Sequence, residues 1–428
     1  MNDTDTHRAI LAIWRIEQAR LIAVLARMTR DVGLAEDLAQ ETLVTALERW
    51  PTTGVPENPA AWLMTTAKNR ALDHLRRNKM LDRKHAEIAQ DLEAEQSANR
   101  DFMPDIDAAM GDDIGDDLLR LIFTACHPLL SREARAALTL RMIGGLTTEE
   151  IARAFLSTET TISQRIVRAK RTLSASGLAY ETPRGEALAQ RLASVLEVIY
   201  LIFNEGYAAT AGDAPIRPDL CLEAQRLGRI LAELMPGDAP ENAEVLGLLA
   251  LMELQASRLG ARTGPDGSLI PLPEQNRARW DQLLIRRGLD ALARAEALGG
   301  GGPYVLQAAL AACHARARRA ADTDWPRIAA LYDRLRIVTP SPVIDLNRAI
   351  AYSMAFGPEA GLALVETIAG VEALRDYAPL PAARGDFLFR AGRLAEARSA
   401  FQAAAALTRN ARERAFLLAR ADACGRKD

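Results

Sequence analysis

The sequence predicts an all-α protein in several pieces, and three observations carry that expectation. Apolar residues recur at helical spacing between obvious breaks, Ala, Leu and Arg are abundant, and the aromatic share is only 5%. Clusters such as TAGDAPIRPD, MPGDAPEN, RTGPDGSLIPLPEQ, LGGGGP and VTPSP punctuate the second half as loops. Almost no strand is expected. At 428 residues the chain exceeds what one core sustains, so two or three domains are expected.

Composition excludes several classes. Apolar residues at 49% and charged residues at 25% are ordinary for a soluble globular protein. Four cysteines without a C-x-x-C pair point neither to a disulfide framework nor to zinc, and read as a reducing, cytoplasmic compartment. The most apolar stretch, VLEVIYLIF, is too short to span a bilayer and carries Glu197, and no targeting segment is visible. The five histidines are scattered, and Cys126-His127 and Cys313-His314 lack companions for a metal or nucleophile site, so no enzyme, metal or cofactor is expected. Asn204 and Glu205 in IFNEGY read as a polar turn after a buried helix, or as a polar catalytic pair.

The first expected module covers residues 1–80. A helical pattern over 8–50 breaks near Asp31 to Gly33, and GLAEDLAQETLVTALERWP forms a second helix stopped by Pro51, with Leu34, Leu38, Leu43, Leu47 and Trp50 on its apolar side. Asp37, Glu41 and Glu48 fall on another side, beside Gln40. After PTTGVPEN, Asn58 caps a helix with Pro59 at its first position, and basic residues thicken toward its end: Lys68, Arg70, Arg76, Arg77, Lys79. Residues 81–117 are acidic with little apolar period and read as a mobile linker, or as a solvated helix in their first half followed by a loop.

Apolar period returns over 118–178. Thr147 and Glu150 have capping-box spacing, so a helix starts there and ends near Phe155. Leu156, Ser157 and Thr158 form a tight connection to a helix that turns Ile162, Ile166 and Val167 wholly or partly inward and leaves Thr160, Thr161, Ser163, Gln164, Arg165 and Arg168 outside. This is a helix-turn-helix pattern. Its Arg and Lys residues suit phosphates, and Ser163, Gln164 and Arg165 suit base edges; a merely solvated basic face is the other reading. The net charge of −3 averages over unlike parts. In the helix of 59–79, Trp62, His74 and Asn69 beside cations form the mixture that holds unpaired bases, though Trp62 equally suits a core.

Residues 179–428 read as a helical extension, repeat-like from about 300. GDFLFRAGRLAEARSAFQAAAALT fits a tetratricopeptide template, with Gly385 and Ala397 small, Leu388 and Phe401 large and Ala404 closing it. Tyr332, Leu364 and Phe401 recur at intervals of 32 and 37, and Arg409 replaces the template's last proline.

The motifs EDLAQETLVTALERW, NPAAWLMTTAKNRALDHLRR and GLTTEEIARAFLSTETTISQRIVRAK resemble regions 2 and 4 of bacterial RNA polymerase sigma factors of the extracytoplasmic-function (ECF) group. The continuation through VIYLIFNEGYAAT, EVLGLLALMELQASR and ARWD is similar to the subgroup with a long helical extension, designated ECF forty-two. The resemblance implies a sigma factor that binds core RNA polymerase (β′ clamp and β subunits) and promoter DNA, with no membrane partner. It implies core binding by Asp37, Gln40 and Glu41, and capture of the melted −10 strand by Lys68, Asn69, Arg70, Asp73, Arg76 and Arg77. Recognition of −35 falls to Ser163, Gln164, Val167 and Arg168, flanked by Thr160 and Thr161, with Arg165 and Lys170 on phosphates. Leu156 stands where the family's turn glycine is common, and Ser157 at its usual apolar turn position. The alternative is a helix-turn-helix regulator that never engages polymerase. In the sigma-factor reading the tetratricopeptide-like extension acts as an intramolecular switch or one controlled by a protein or peptide partner, or serves only as scaffold.

Overall fold

A computed structural model describes residues 3–90, 114–155, 157–178, 180–207, 216–264, 270–408 and 411–425. Among these the regular structure is helical, with eighteen α-helices and no strand. Contacts divide the chain into two compact units, Met1–Met235 and Pro236–Asp428.

The first unit is built around α1 (Asp3–Thr29), whose Ile10, Leu21, Ile22 and Leu25 are almost wholly buried. It packs against α2 (Val32–Thr53), α3 (Pro59–Gln90) and α4 (Ile114–Ala125). The expected break lies where Arg30 takes a φ of 54° and Asp31 caps α2, accepting from the Leu34 N–H at 2.9 Å. Two expectations for α2 need correction. Its buried stripe is small and partly polar, with Ala35, Ala39, Thr42, Thr45 and Ala46 beside Leu38 and Trp50, whereas Leu34, Leu43 and Leu47 are only half-buried. Small side chains let α1 approach closely, and the Thr42 and Thr45 hydroxyls return to the carbonyls of Leu38 and Glu41 at 2.9 Å. Nor does Pro51 stop the helix. It sits in the last turn, and the helix ends at Gly54, whose φ of 84° suits glycine and whose N–H reaches the Trp50 carbonyl at 2.9 Å.

Asn58 and Pro59 open α3 as expected, with the Ala61 N–H donating to Asn58 Oδ1 at 3.0 Å. The helix continues to Gln90, so residues 81–90 of the acidic segment are helical, and residues 91–113 lie outside the described residues. The segment's other end is also helical, since α4 starts at Ile114. Asp117, read as linker, is 1% exposed, paired with Arg27 at 3.1 Å and Arg120 at 2.8 Å. The Tyr180 hydroxyl donates to the Asp117 and Ala23 carbonyls, and burial, then Asp117, push that phenol well above its ordinary pKa.

Then follow α5 (Arg132–Met142), α6 (Thr148–Ala154), α7 (Glu159–Ala175), α8 (Glu186–Tyr207) and α9 (Pro218–Leu234), all within the first unit. Thr147 and Glu150 make the full capping box, at 3.1 and 2.7 Å. Thr158 caps α7 through the Thr161 N–H at 3.2 Å; Leu156 lies outside the described residues.

The second unit begins with α10 (Asn242–Ala256), apolar on nearly every side and buried against α11 (Gln282–Ala297) and α12 (Pro303–Arg316). Glu244 accepts the Tyr304 N–H at 3.0 Å, satisfying the start of α12. Successive helices pack on one another through α13 (Trp325–Val338), α14 (Pro342–Phe356), α15 (Pro358–Ile368), α16 (Pro379–Arg390), α17 (Leu394–Leu407) and α18 (Ala411–Ala423). Tyr332, Leu364 and Phe401 fall on α13, α15 and α17, so their spacing counts two helices per period. At the α16–α17 contact a methyl on Gly385 would lie 2.8 Å from the Phe401 ring, the reason that pair is small against large.

Candidate nucleic-acid interface

Two polar surfaces of the first unit collect most of the expected site residues. One is a groove of about 500 Å³ between α2 and α3, lined by Glu41, Thr45, Asn69, Arg70, Asp73 and Arg77 among others. The Arg70 guanidinium bridges its walls, 2.7 Å from the Glu41 carboxylate and 2.6 Å from the Thr45 hydroxyl. Lys68 and Arg76 do not line the groove; Arg76 pairs with Asp73 at 3.8 Å on an exposed turn. Trp62 is half-buried, its ring edge-on to the buried Trp50 with centroids 5.2 Å apart. Packing therefore occupies part of that side chain.

The other surface is the outer face of α7. Ile162, Ile166, Ala169 and Leu173, at spacings of three and four, are buried and fix the helix against α5 and α6. That rotation exposes Thr160, Thr161, Ser163, Gln164, Val167 and Arg168. Val167 thus stands outward, 41% exposed, an apolar contact among donors. Arg165 is half-buried, turned toward α5. The Glu133 carboxyl there is held below its ordinary value first by its own N–H and the Ser131 hydroxyl, with Arg165 and Arg132 adding to the effect.

Between these surfaces lies a buried carboxylate that sequence reasoning missed. Glu36 of α2 is 2% exposed and accepts Arg141 Nε of α5 at 2.7 Å and Gln40 Nε2 at 2.8 Å, while Lys170 Nζ of α7 stands 2.5 Å away. Lys170 is also 3.6 Å from Asp37. So Lys170, expected on a phosphate, is engaged here by a carboxylate. Of the expected polymerase ridge, Asp37 and Glu41 are exposed, and Gln40 leans onto Glu36. The junction is extended by Gln18 Nε2 donating to the Arg141 carbonyl at 3.0 Å and by Ser174 donating to Asp31 at 2.8 Å. Burial alone would raise the Asp31 pKa, but the Leu34 N–H, Ser174, the Gly33 N–H and Lys170 together bring it below the ordinary value. Only the alternation of Ala35, Ala39, Thr42 and Ala46 hinted that the adjoining Glu36 faces inward.

The fold and its paired surfaces define a helix-turn-helix protein with a second, groove-bearing helical module. Residues 13–80 match the family Sigma-70 region 2, residues 120–173 match Sigma-70, region 4, and residues 191–296 match a family of unknown function, DUF6596. An uncharacterized protein of Rhizobium meliloti (strain 1021) is 41% identical over 418 residues, 97% of this chain and 95% of its own length. The probable ECF RNA polymerase sigma factor SigI of Mycobacterium tuberculosis (strain CDC 1551 / Oshkosh) is 28% identical over 173 residues, 40% of this chain and 57% of its own. The ECF RNA polymerase sigma factor SigK of Mycobacterium ulcerans (strain Agy99) is 29% identical over 160 residues, 36% of this chain and 78% of its own. No solved structure matches. The chain carries the region 2 and region 4 domains of the sigma-70 family, is similar over that part to ECF sigma factors, and carries a C-terminal helical extension. The DUF6596 match begins on α8 and α9 of the first unit and ends on α11 of the second. Among the described residues no helix is long and apolar enough to cross a membrane.

Proposed function

We propose that this chain binds core RNA polymerase and directs promoter-specific initiation. In this reading residues 1–80 bind polymerase and the −10 element, 81–117 link, 118–178 read −35, and 179–428 form a regulatory or partner-binding extension. The observation that carries it is the outer face of α7: a capped second helix presenting Ser163, Gln164, Val167 and Arg168 to solvent, on the same chain as the α2–α3 groove. Asp37 and Glu41, exposed on α2, are the carboxylates available to the β′ clamp. Asn69, Arg70 and Arg77 in the groove supply the amide and cations that a single strand needs.

Geometry adds a requirement. Two elements named for −35 and −10 lie roughly 85 Å apart, at about 3.4 Å per base pair. A compact unit of the size of Met1–Met235 has a radius of gyration of about 18 Å. Both elements can be read at once only after α7 leaves α2 and the Lys170–Glu36 pair opens. Polymerase, gripping Asp37 and Glu41 beside that pair, is the agent this reading assigns to the opening.

The test is association with core polymerase measured by fluorescence anisotropy, comparing the chain with its Asp37→Ala, Gln40→Ala, Glu41→Ala triple variant. Tight binding by the first and a loss of at least about tenfold in the second is expected, since ridge charges act mainly through such contacts. A chain that binds duplex DNA tightly alone and ignores polymerase overturns the reading.

A further inference from the structure

The extension reaches the helix-turn-helix. Arg217, at the start of α9, donates through Nη1 to the carbonyl of Ala154, the last residue of α6. The same nitrogen is 2.8 Å from Glu205 of the IFNEGY stretch at the end of α8, and the two side chains are only 15% and 12% exposed. Two more arginines act alike: Arg226 of α9 donates to the Ile143 carbonyl that caps α5, and Arg191 of α8 to the Phe123 carbonyl near the end of α4, each at 2.7 Å. Helix C-termini leave carbonyls without intrahelical partners and carry partial negative charge, so a guanidinium set against each both satisfies and attracts it. Gly206 makes the arrangement possible. The Arg217 N–H bonds its carbonyl at 2.7 Å, and a methyl there would lie 2.8 Å from the Arg217 carbonyl and the Cys221 nitrogen.

We infer that Glu205 and Arg217 are positioning residues for promoter reading: Glu205 orients Arg217, and Arg217 fixes the exit of α6 and hence the direction in which α7 leaves the turn. An α6 of 7 residues is too short to hold its own end. The chain at the turn is tied by the Ser157 N–H on the Ala152 carbonyl at 2.9 Å and by Arg217 on Ala154, in a motif whose sequence places leucine where glycine is common. The first two helices of the DUF6596 match are thereby part of the −35 reader, and the polar pair in IFNEGY has a purpose. This rests on the proposed function.

The test uses the full chain, core polymerase, and a promoter selected from a randomised library by the wild-type holoenzyme, read as the transcript ratio between the intact promoter and one with its −35 element scrambled. Arg217→Ala should bind polymerase within about twofold of wild type while the ratio falls about tenfold, the size of one lost base-edge contact. Arg217→Lys, which keeps charge but lacks the fork, should fall between, and Glu205→Gln should lower the ratio about threefold. Should Arg217→Ala not fold, the other two variants decide. A ratio unchanged in variants that bind polymerase overturns the inference, as does an equal loss at both promoters accompanied by a lower melting temperature. A wild-type ratio of one sinks the proposed function, and this inference with it.

Discussion

Glu36 and Glu41 lie five residues apart on α2 and both meet cations, yet they do opposite things. Glu36 is 2% exposed, held by α5 and α7, whereas the Glu41 side chain is 57% exposed and touches Arg70 across an open groove. A buried carboxylate in that position cannot lose a partner cheaply, since whatever remains is an uncompensated charge. An exposed pair exchanges its partner for water, protein or phosphate at almost no cost. One carboxylate therefore joins two modules, and the other is free to be used.

The largest effect expected from this contrast is at Glu36. Glu36→Ala strands Arg141 and Lys170 and should lower the first unit's stability by about 3–5 kcal/mol in urea unfolding; a loss below about 1 kcal/mol would place Glu36 with Glu41. Next comes Gln164→Ala on the outer face of α7, which should cost about 1–3 kcal/mol of discrimination at one upstream promoter position in holoenzyme binding, with unfolding unchanged. Third is Asp31, the edge of the junction. Asp31→Ala removes the α2 cap and should cost about 0.5–2 kcal/mol at neutral pH. Because its folded pKa lies below the unfolded one, the stability it confers is present above the ordinary carboxylate value and is lost as pH falls through the depressed one. Acid unfolding of the variant, followed by circular dichroism, should lack that part of the slope. Smallest is Glu41→Ala, expected within about 1 kcal/mol of wild type in unfolding, yet measurable in polymerase binding.

The elements legible in the sequence are those governed by neighbours in the chain. Asn58 with Pro59, Thr147 with Glu150, Ile162 and Ile166 on the inner side of α7 and the Gly385–Phe401 match all follow local rules and occur where the spacing puts them. Val167, expected partly inward, is instead exposed, and Arg165, expected outside, is half-buried. What escaped depends on partners far away. Leucine spacing points to Leu34, Leu43 and Leu47 as the α2 core, but α1 packs against alanines and threonines that no period in hydrophobicity emphasises. Sequence reasoning leaves Glu36 unassigned and puts Asp117 in a linker, because acidic residues usually face solvent, and only Arg141, Lys170 and Arg27 make them buried. The arginines of α8 and α9 likewise carried no signal, because the carbonyls they satisfy end helices some 60 to 80 residues earlier.

Run-off transcription with purified core polymerase, on a promoter selected by the holoenzyme, bears most directly on the central claim that one chain carries both a polymerase grip and a promoter reader. The account predicts transcript that requires the chain and disappears when Gln164 and Arg168 are replaced together by alanine. Duplex binding of equal strength with and without polymerase, and no transcript in either case, would contradict it.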